Sequence, residues 1–333
     1  MNHDLPSDTH EDPMRLRFRG WYLILTAALG SVAAFAPPAS AADTSAAKAR
    51  TQVQQHFATP EAATAALVAA VRADDPRRVR AVLGPGSDKL ISSGDRVADQ
   101  QGRARFVAAF EKKSRIELEG DAKATLVIGE NDWPLPFPIV KGTDGWKFDA
   151  KSGAEEILNR RIGRNELAAI QVCLAYGDAQ REYASTQGNR DGTHEYAMKL
   201  VSTPGKRDGL YWPTKEGQPL SPLGPLAEKA KEEGYGKSKN AAHEPYHGYL
   251  YRILTAQGGD APGGAYNYVV KGKMVGGFGL VAYPARWGAS GVMTLIVNHD
   301  GIVYQKNLGK GTAAIASKMT HFNPDSSWSK AQP

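Results

Sequence analysis

Apolar positions change their spacing several times along this chain, and each change predicts a different kind of element. Over residues 21–36 they run together without a single charge, close to the length of a signal h-region and short for a spanning helix. From Thr59 to Phe110 they recur at helical spacing. Thr59-Pro60 predicts a capped helix start, with Leu67, Val68 and Val71 on one stripe. Asp75-Pro76 repeats the device: Val79, Val82 and Leu83 face one way until Gly84-Pro85-Gly86 stops the helix, and a third helical stretch carries Phe106, Val107 and Phe110. Alternation then takes over at 116–119, 124–128, 137–140 and 146–148. The last two are joined across Asp144-Gly145, a hairpin signal.

Helical spacing returns at Ala154. Residues 155–161 predict a short helix, Gly163 an interruption, and Asn165 the cap of a longer helix reaching about Ser185. Leu167, Ile170 and Leu174 form one stripe on it and Val172, Tyr176 and Tyr183 a neighbouring one, wide enough to predict deep burial. Residues 186–248 read as loop with one short helix near 225–233. Strands follow at Tyr249–Leu254, 266–270, 278–283, 293–297 and 302–305, the last pair joined by His299-Asp300-Gly301, before a closing helix at 312–319 and a polar tail.

Helices followed by an antiparallel meander, twice over, predict an α+β protein of two domains. Residues 56–152 resemble the NTF2-like (nuclear-transport-factor-like) or cystatin-like class, with helices covering one face of an antiparallel sheet. Residues 153–325 resemble a type IV pilin-like head, a long helix packed on an antiparallel β-meander. Residues 1–41 are expected to be a signal peptide, 42–55 a flexible lead-in and 326–333 a polar tail.

The export reading rests on Arg15, Arg17 and Arg19 before the apolar run and on Ala39-Ser40-Ala41 after it, a positive n-region and a small-x-small cleavage pattern. The polar residues 2–13 fit such a leader poorly and make Met14 an alternative start. Removing residues 1–41 takes three Arg and four acidic residues from the 41 basic and 35 acidic, leaving 38 against 31. That excess is spread along the chain with no basic arm, so nucleic acid is not expected as a partner. Cys173 is the single cysteine, which excludes an intramolecular disulfide and leaves it as a small buried apolar group. No second apolar stretch reaches spanning length, so no integral membrane segment is expected after cleavage, and the address is periplasmic or secreted.

The run Asn159-Arg160-Arg161-Ile162-Gly163-Arg164-Asn165-Glu166, followed by Tyr176-Gly177-Asp178-Ala179-Gln180-Arg181-Glu182-Tyr183, resembles a bacterial family, DUF2950. Ser202 through Pro213, Tyr246-His247-Gly248-Tyr249, and Gly276-Gly277-Phe278 through Pro284 carry the same resemblance, which covers nearly all of residues 55–325. It implies export and assigns no reaction. Asp191-Gly192-Thr193-His194-Glu195-Tyr196-Ala197 separately resembles the loop of pilin-like heads. A pilin places its helix directly after a membrane segment, whereas here a whole domain intervenes.

No constellation reads as a catalytic centre, a cofactor site or a metal site. Asn189, Asp191, Thr193 and Glu195 alternate oxygen donors but lack the EF-hand pattern, so a turn is the expected reading. Pro245 between His243 and His247 forbids the regular helix that a metal pair at that spacing needs. Gly263-Gly264 and Gly276-Gly277 do not open a helix after a strand, and bulges or close backbone approach account for them. The candidate binding face is Lys206, Arg207, Asp208, Tyr211 and Trp212 on the long loop, with Tyr246 and His247 close to the following strand, where aromatic and charged groups together suit recognition. The opposing reading is that Tyr211 and Trp212 pin the loop to the core.

These readings describe an exported, non-catalytic envelope protein, an interaction or assembly module that binds a protein partner or envelope polymer. The alternative is a small-molecule or hydrolytic site in the concave sheet of the first domain, lined by Trp133, Phe137, Trp146 and Phe148, with Glu130, Asp132 and Lys147 as its nearest titratable groups. Production with the leader in an exporting host should give a periplasmic or secreted product beginning at Ala42. N-terminal sequencing checks it, and a product retaining residues 21–36 would make that segment an anchor.

Overall fold

The computed structural model describes residues 53–190, 192–236 and 244–332. The predicted signal peptide, most of the lead-in, Asp191 and His243 lie outside them. Helix starts follow the capping chemistry. Thr59 accepts from the Ala62 N–H at 3.1 Å at the head of α1 (Pro60–Arg72), and Asp75 accepts from Arg77 and Arg78 at the head of α2 (Pro76–Leu83). A one-turn α3 (Asp88–Ile91) leads to α4 (Arg96–Lys112).

The first antiparallel sheet contains β1 (Ser114–Glu119), β2 (Lys123–Ile128), β3 (Trp133–Pro134), β4 (Ile139–Gly142) and β5 (Gly145–Phe148), in the order β1-β2-β4-β5 with β3 also on β2. Leu67 and Val71 of α1, Val82 of α2, Leu126 and Ile128 of β2, and Phe148 of β5 build its core. β1 is an edge strand with only Ile116 half-buried, and its charged side chains suit an edge that must not pair further.

The chain then runs into α5 (Ala150–Thr186), a single helix of 37 residues. The predicted interruption at Gly163 and cap at Asn165 are therefore corrected. Glycine inside a helix costs only about 1 kcal/mol relative to alanine, and side chains on both sides of Gly163 anchor the helix. Arg161 donates to the carbonyl oxygens of Lys89 and Leu90 at 2.7 and 2.8 Å. Asn165 donates to that of Ser290 at 2.8 Å, and Glu166 accepts from the Val292 and Met293 amides at 2.9 and 3.0 Å.

β6 (Asn189–Arg190) pairs with β7 (Thr193–His194), and α6 (Gly224–Glu232) interrupts the long loop. β8 (Tyr249–Leu254), β9 (Ala256–Gln257), β10 (Tyr266–Asn267), β11 (Val269–Val270) and β12 (Lys273–Met274) follow. The strand predicted over 266–270 divides at Tyr268, which is fully buried and turns its backbone to Thr255, Val275 and Gly276. A Cβ on Gly276 would lie 2.8 Å from the Asn267 carbonyl oxygen, the close backbone approach expected there. After β13 (Gly279–Pro284), β14 (Thr294–Asn298) and β15 (Tyr304–Lys306) come α7 (Thr312–Ala316), β16 (His321–Phe322), which runs parallel to β9, and β17 (Ser329–Lys330). The main sheet of this half runs β17-β15-β14-β13-β8, all antiparallel, so the polar tail contributes its edge.

Period-2 alternation explains why β13 is buried throughout. Leu280 and Ala282 face a core built with Ile170, Cys173 and Tyr176 of α5, while Val281 and Tyr283 face a second one with Ala316 of α7 and Phe322 of β16. Tyr176 carries its hydroxyl into that interior and donates to the Gly279 carbonyl at 3.0 Å. The protein is thus α+β, with antiparallel sheets on which helices pack, and both halves belong to one compact unit.

A Cβ on Gly163 would meet nothing within 4 Å. Gly163→Ala should therefore stabilise the protein by about 0.5–1 kcal/mol, measured by denaturant unfolding. A loss of stability would mean that the helix needs a break there.

Candidate functional site

Between α1, α2, α4, the first sheet and α5 lies a cavity of about 1210 Å³. Its existence follows from two helix faces. α4 presents Ala98, Gln101, Gly102, Arg105, Phe106 and Ala109, spaced i, i+3, i+4, i+7, i+8 and i+11, the one stripe that faces inward. Small and polar residues occupy positions where a packed helix carries Leu or Ile, and no residue of α4 is fully buried. α5 repeats the spacing with Ile157, Arg160, Arg161, Arg164, Asn165 and Ala168. Leu67, Val79, Leu83, Leu135 and Phe137 form the apolar depth, and Leu167, 54 % exposed, also lines the cavity.

Five arginines line this space. Arg103 pairs with Asp74 at 2.6 Å, and Arg160 pairs with Glu156 at 2.6 Å while lying 5.9 Å over the Trp133 ring. Arg161 is held by the two carbonyl oxygens already described. Burial lowers its pKa, a pull that Asp99 opposes and Arg164 reinforces. Asp99 itself accepts from the Ser93 N–H at 2.9 Å. Among the described residues Arg105 has only Gln101, at 3.5 Å. Arg164 makes no hydrogen bond or ion pair among the described residues; burial lowers its pKa first, and the like charges of Arg105 and Arg160 add to that.

A buried polar knot closes one end. Asp95, 1 % exposed, accepts from the Ala98 N–H at 3.0 Å, from the Tyr235 hydroxyl at 2.9 Å and from the Gly248 N–H at 2.8 Å. It caps α4 and at the same time holds the residues after α6 and before β8. Gly248 has φ +76°, and a Cβ there would lie 2.5 Å from Asn165 Nδ2, so glycine is required twice over. His247 takes φ +50° and sets Nε2 3.5 Å from Glu233 Oε2. Burial lowers its pKa against the pull of Glu233 and Asp95, leaving the imidazole neutral at pH 7. Tyr246 packs edge-on to Tyr235 at 5.0 Å, and burial beside Glu233 raises its pKa. Gln101 donates to the Glu233 carbonyl, tying α4 to the end of α6. Glu233, Tyr235 and His247 all face the cavity.

A profile of the family described as "Protein of unknown function (DUF2950)" matches residues 54–331. The chain belongs to DUF2950. No curated protein and no solved structure matches it.

Two of the stretches that carry the DUF2950 resemblance meet at this knot. Asn165 and Glu166 from the first contact the backbone of 290–293, and Gly248 from the second sits against Asn165. The seven residues of the expected binding face fall into two groups. Trp212, 8 % exposed, is packed in the second core with the Arg207 guanidinium 5.5 Å over its ring, and half-buried Tyr211 lies under Lys231 at 5.3 Å. Asp208 accepts from Lys199 Nζ and from the Thr203 N–H, both at 2.8 Å, and these hold its carboxyl well below the usual range. The Lys206 N–H donates to the Thr203 carbonyl, so the loop closes on itself. Tyr246 and His247 belong instead to the knot at the cavity end.

Of the residues expected to line a first-half pocket, Trp133 and Phe137 do so in this DUF2950 chain, whereas Trp146 and Phe148 are core. Glu130 and Asp132 pair on the surface with Lys112 and Lys113. Sequence reasoning missed Asp95, Arg105, Arg164, Glu233 and Tyr235. The signal available was the α5 stripe 157, 160, 161, 164, 168, where three arginines stand on a face otherwise apolar or small. Among the described residues no group of three or more His, Cys, Asp or Glu side chains is placed to hold a metal ion. Cys173 is enclosed in the core, where burial pushes its thiol up to about 12 and leaves it unreactive at neutral pH.

Asp95→Ala would leave two buried donors without an acceptor and α4 without its cap. With about 1–3 kcal/mol for each orphaned donor and about 1 kcal/mol for the cap, the loss should reach about 3 kcal/mol or more. Denaturant unfolding reads it, and a change below about 1 kcal/mol would show the knot to be dispensable.

Proposed function

We propose that this protein is an exported, non-catalytic binding protein of the cell envelope that holds an apolar small molecule in the cavity between its first-half helices, first sheet and α5. The observation that carries the reading is the cavity itself: about 1210 Å³, apolar in its depth and walled by two helices whose inward stripes are largely small or polar. Closed helical proteins fill such a space with side chains, since interiors pack at crystal-like density. An apolar cavity with a few placed polar groups is the ordinary form of a ligand site.

Helices over an antiparallel sheet in the first half suit an NTF2-like container. The long helix against the second sheet, in the manner of a pilin-like head, supplies a rigid wall for it. The charged arginines and the neutral His247 can orient a bound group, and the reading needs no chemistry from them. A second reading, recognition of an envelope protein or polymer, is favoured by the exposure of Lys206 and Arg207 beside Trp212. It has less behind it, because the Trp212 ring is already covered.

Gly102 tests the cavity cleanly. It lines the space on a helix, and a Cβ there would meet nothing within 4 Å. Gly102→Phe should project into the cavity, gain some helix propensity and leave the melting temperature unchanged or higher. The neutral probe N-phenyl-1-naphthylamine should fluoresce with the native protein and bind at least tenfold more weakly to the variant. A native protein that does not enhance the probe, or a variant that binds equally well, would overturn the proposal.

A further inference from the structure

The cavity is not evenly apolar, and its charges are arranged in a way that packing does not explain. Arg105 from α4 and Arg164 from α5 both line the cavity, the charge of one acting on the other, and among the described residues neither has a carboxylate partner. Arg160 adds a third positive charge to that group, its own partner Glu156 lying outside the lining. Of the two acids that line the cavity, Asp99 accepts from the Ser93 amide, and Glu233 sits in the knot beside His247, its Oε2 without a hydrogen-bond partner among the described residues. Arg105, Arg160 and Arg164 are all exposed, so solvent weakens their mutual repulsion without removing it. An anion placed among them would meet three like charges at once.

We propose that Arg105 and Arg164, flanked by Arg160, hold the anionic head of a single-chain amphiphile whose hydrocarbon tail fills the apolar depth of the cavity. This rests on the reading of the cavity as a binding site and names the class of its ligand. The head is a carboxylate or a phosphate, groups that arginine recognises through paired N–H donors. The tail lies along Leu67, Val79, Leu83 and Phe137, where each buried methylene contributes about 0.8 kcal/mol. The exposed Leu167 at the cavity wall continues the apolar surface along which a chain would enter. Arg161 is not assigned to the head, because its guanidinium is already committed to the carbonyl oxygens of Lys89 and Leu90.

Displacement of N-phenyl-1-naphthylamine by palmitate, by palmitoyl lysophosphatidate and by neutral hexadecanol separates the possibilities. The proteins to compare are the native chain, the double variant Arg105→Gln/Arg164→Gln, and Arg77→Gln, an exposed arginine outside the cavity, as the charge control. At least one anionic amphiphile should bind ten times or more tighter than hexadecanol, and which of the two does so identifies carboxylate or phosphate as the preferred head. In the double variant that preference should vanish while hexadecanol binding persists, and the control should behave as the native chain. The melting temperature of the double variant should not fall, since among the described residues Arg164 has no polar partner and Arg105 only the long contact to Gln101. Equal binding of hexadecanol and both acids by the native protein, or an acid preference that survives the double substitution, would overturn the arginine assignment and leave the cavity reading standing. A native protein that binds neither the probe nor any of the three would sink both.

Discussion

Arg161, Asn165 and Glu166 grip two separate backbone segments from the waist of α5, and the placement of everything else follows from that grip. Arg161 reaches back to the carbonyl oxygens of Lys89 and Leu90 in α3, while Asn165 and Glu166 reach forward to the loop before β14. A helix of 37 residues spans more length than one core needs, and this one serves two. Its start at Ala150 packs in the first core, and its second half, from Ala169 onward, packs on the second sheet. Between them the helix has little apolar cover. Directed hydrogen bonds replace hydrophobic contact there, and each is stronger for being made by an ionised or amide group to partly buried backbone.

The cavity is the consequence. The first sheet and the second half of α5 are fixed by different cores, so the distance between the sheet and the middle of the helix is set by the whole frame and not by local packing. α4 bridges the gap, pinned at its head by Asp95 and at Gln101 by the Glu233 carbonyl, with no fully buried residue of its own. Helices held by their ends in this way can stand off from a sheet that a freely packing helix would close upon. The Asp95 carboxylate makes this possible because it accepts from α4, from Tyr235 and from Gly248 at once, joining the entry of the first half's last helix to the entry of the second half's sheet.

Much of the fold was legible because local chemistry and tertiary structure agree. Thr59-Pro60 and Asp75-Pro76 cap the helices they predict, Asp144-Gly145 closes its hairpin, and β8 runs over the residues that its pattern marked. The misreadings occur where long-range contacts overrule a local signal. Gly163 reads as a break and Asn165 as a cap until Ser290, distant in sequence, supplies the carbonyl that Asn165 binds. The strand 266–270 divides because Tyr268 is drawn into the core. The candidate site was less legible than the fold. Aromatic residues on the long loop drew attention by their type, yet Trp212 is packing, whereas Arg105 and Arg164 read as ordinary solvated charges until two helices bring them together. No single-chain pattern encodes that meeting.

A site of this kind sets function against stability. Filling the inward stripes of α4 and α5 with Leu and Ile would bury more apolar surface, and separating the arginines would remove their repulsion. The proposed ligand, an anion with an apolar tail, would reverse both terms together, its chain supplying the missing contacts and its head the missing counter-charge. Binding then stabilises the folded state by linkage, in proportion to ligand concentration over dissociation constant. The element best placed to respond is α4. It has the least burial of the longer helices in the first half and faces the cavity along its length, so the segment with the weakest packing is the one that a ligand would hold.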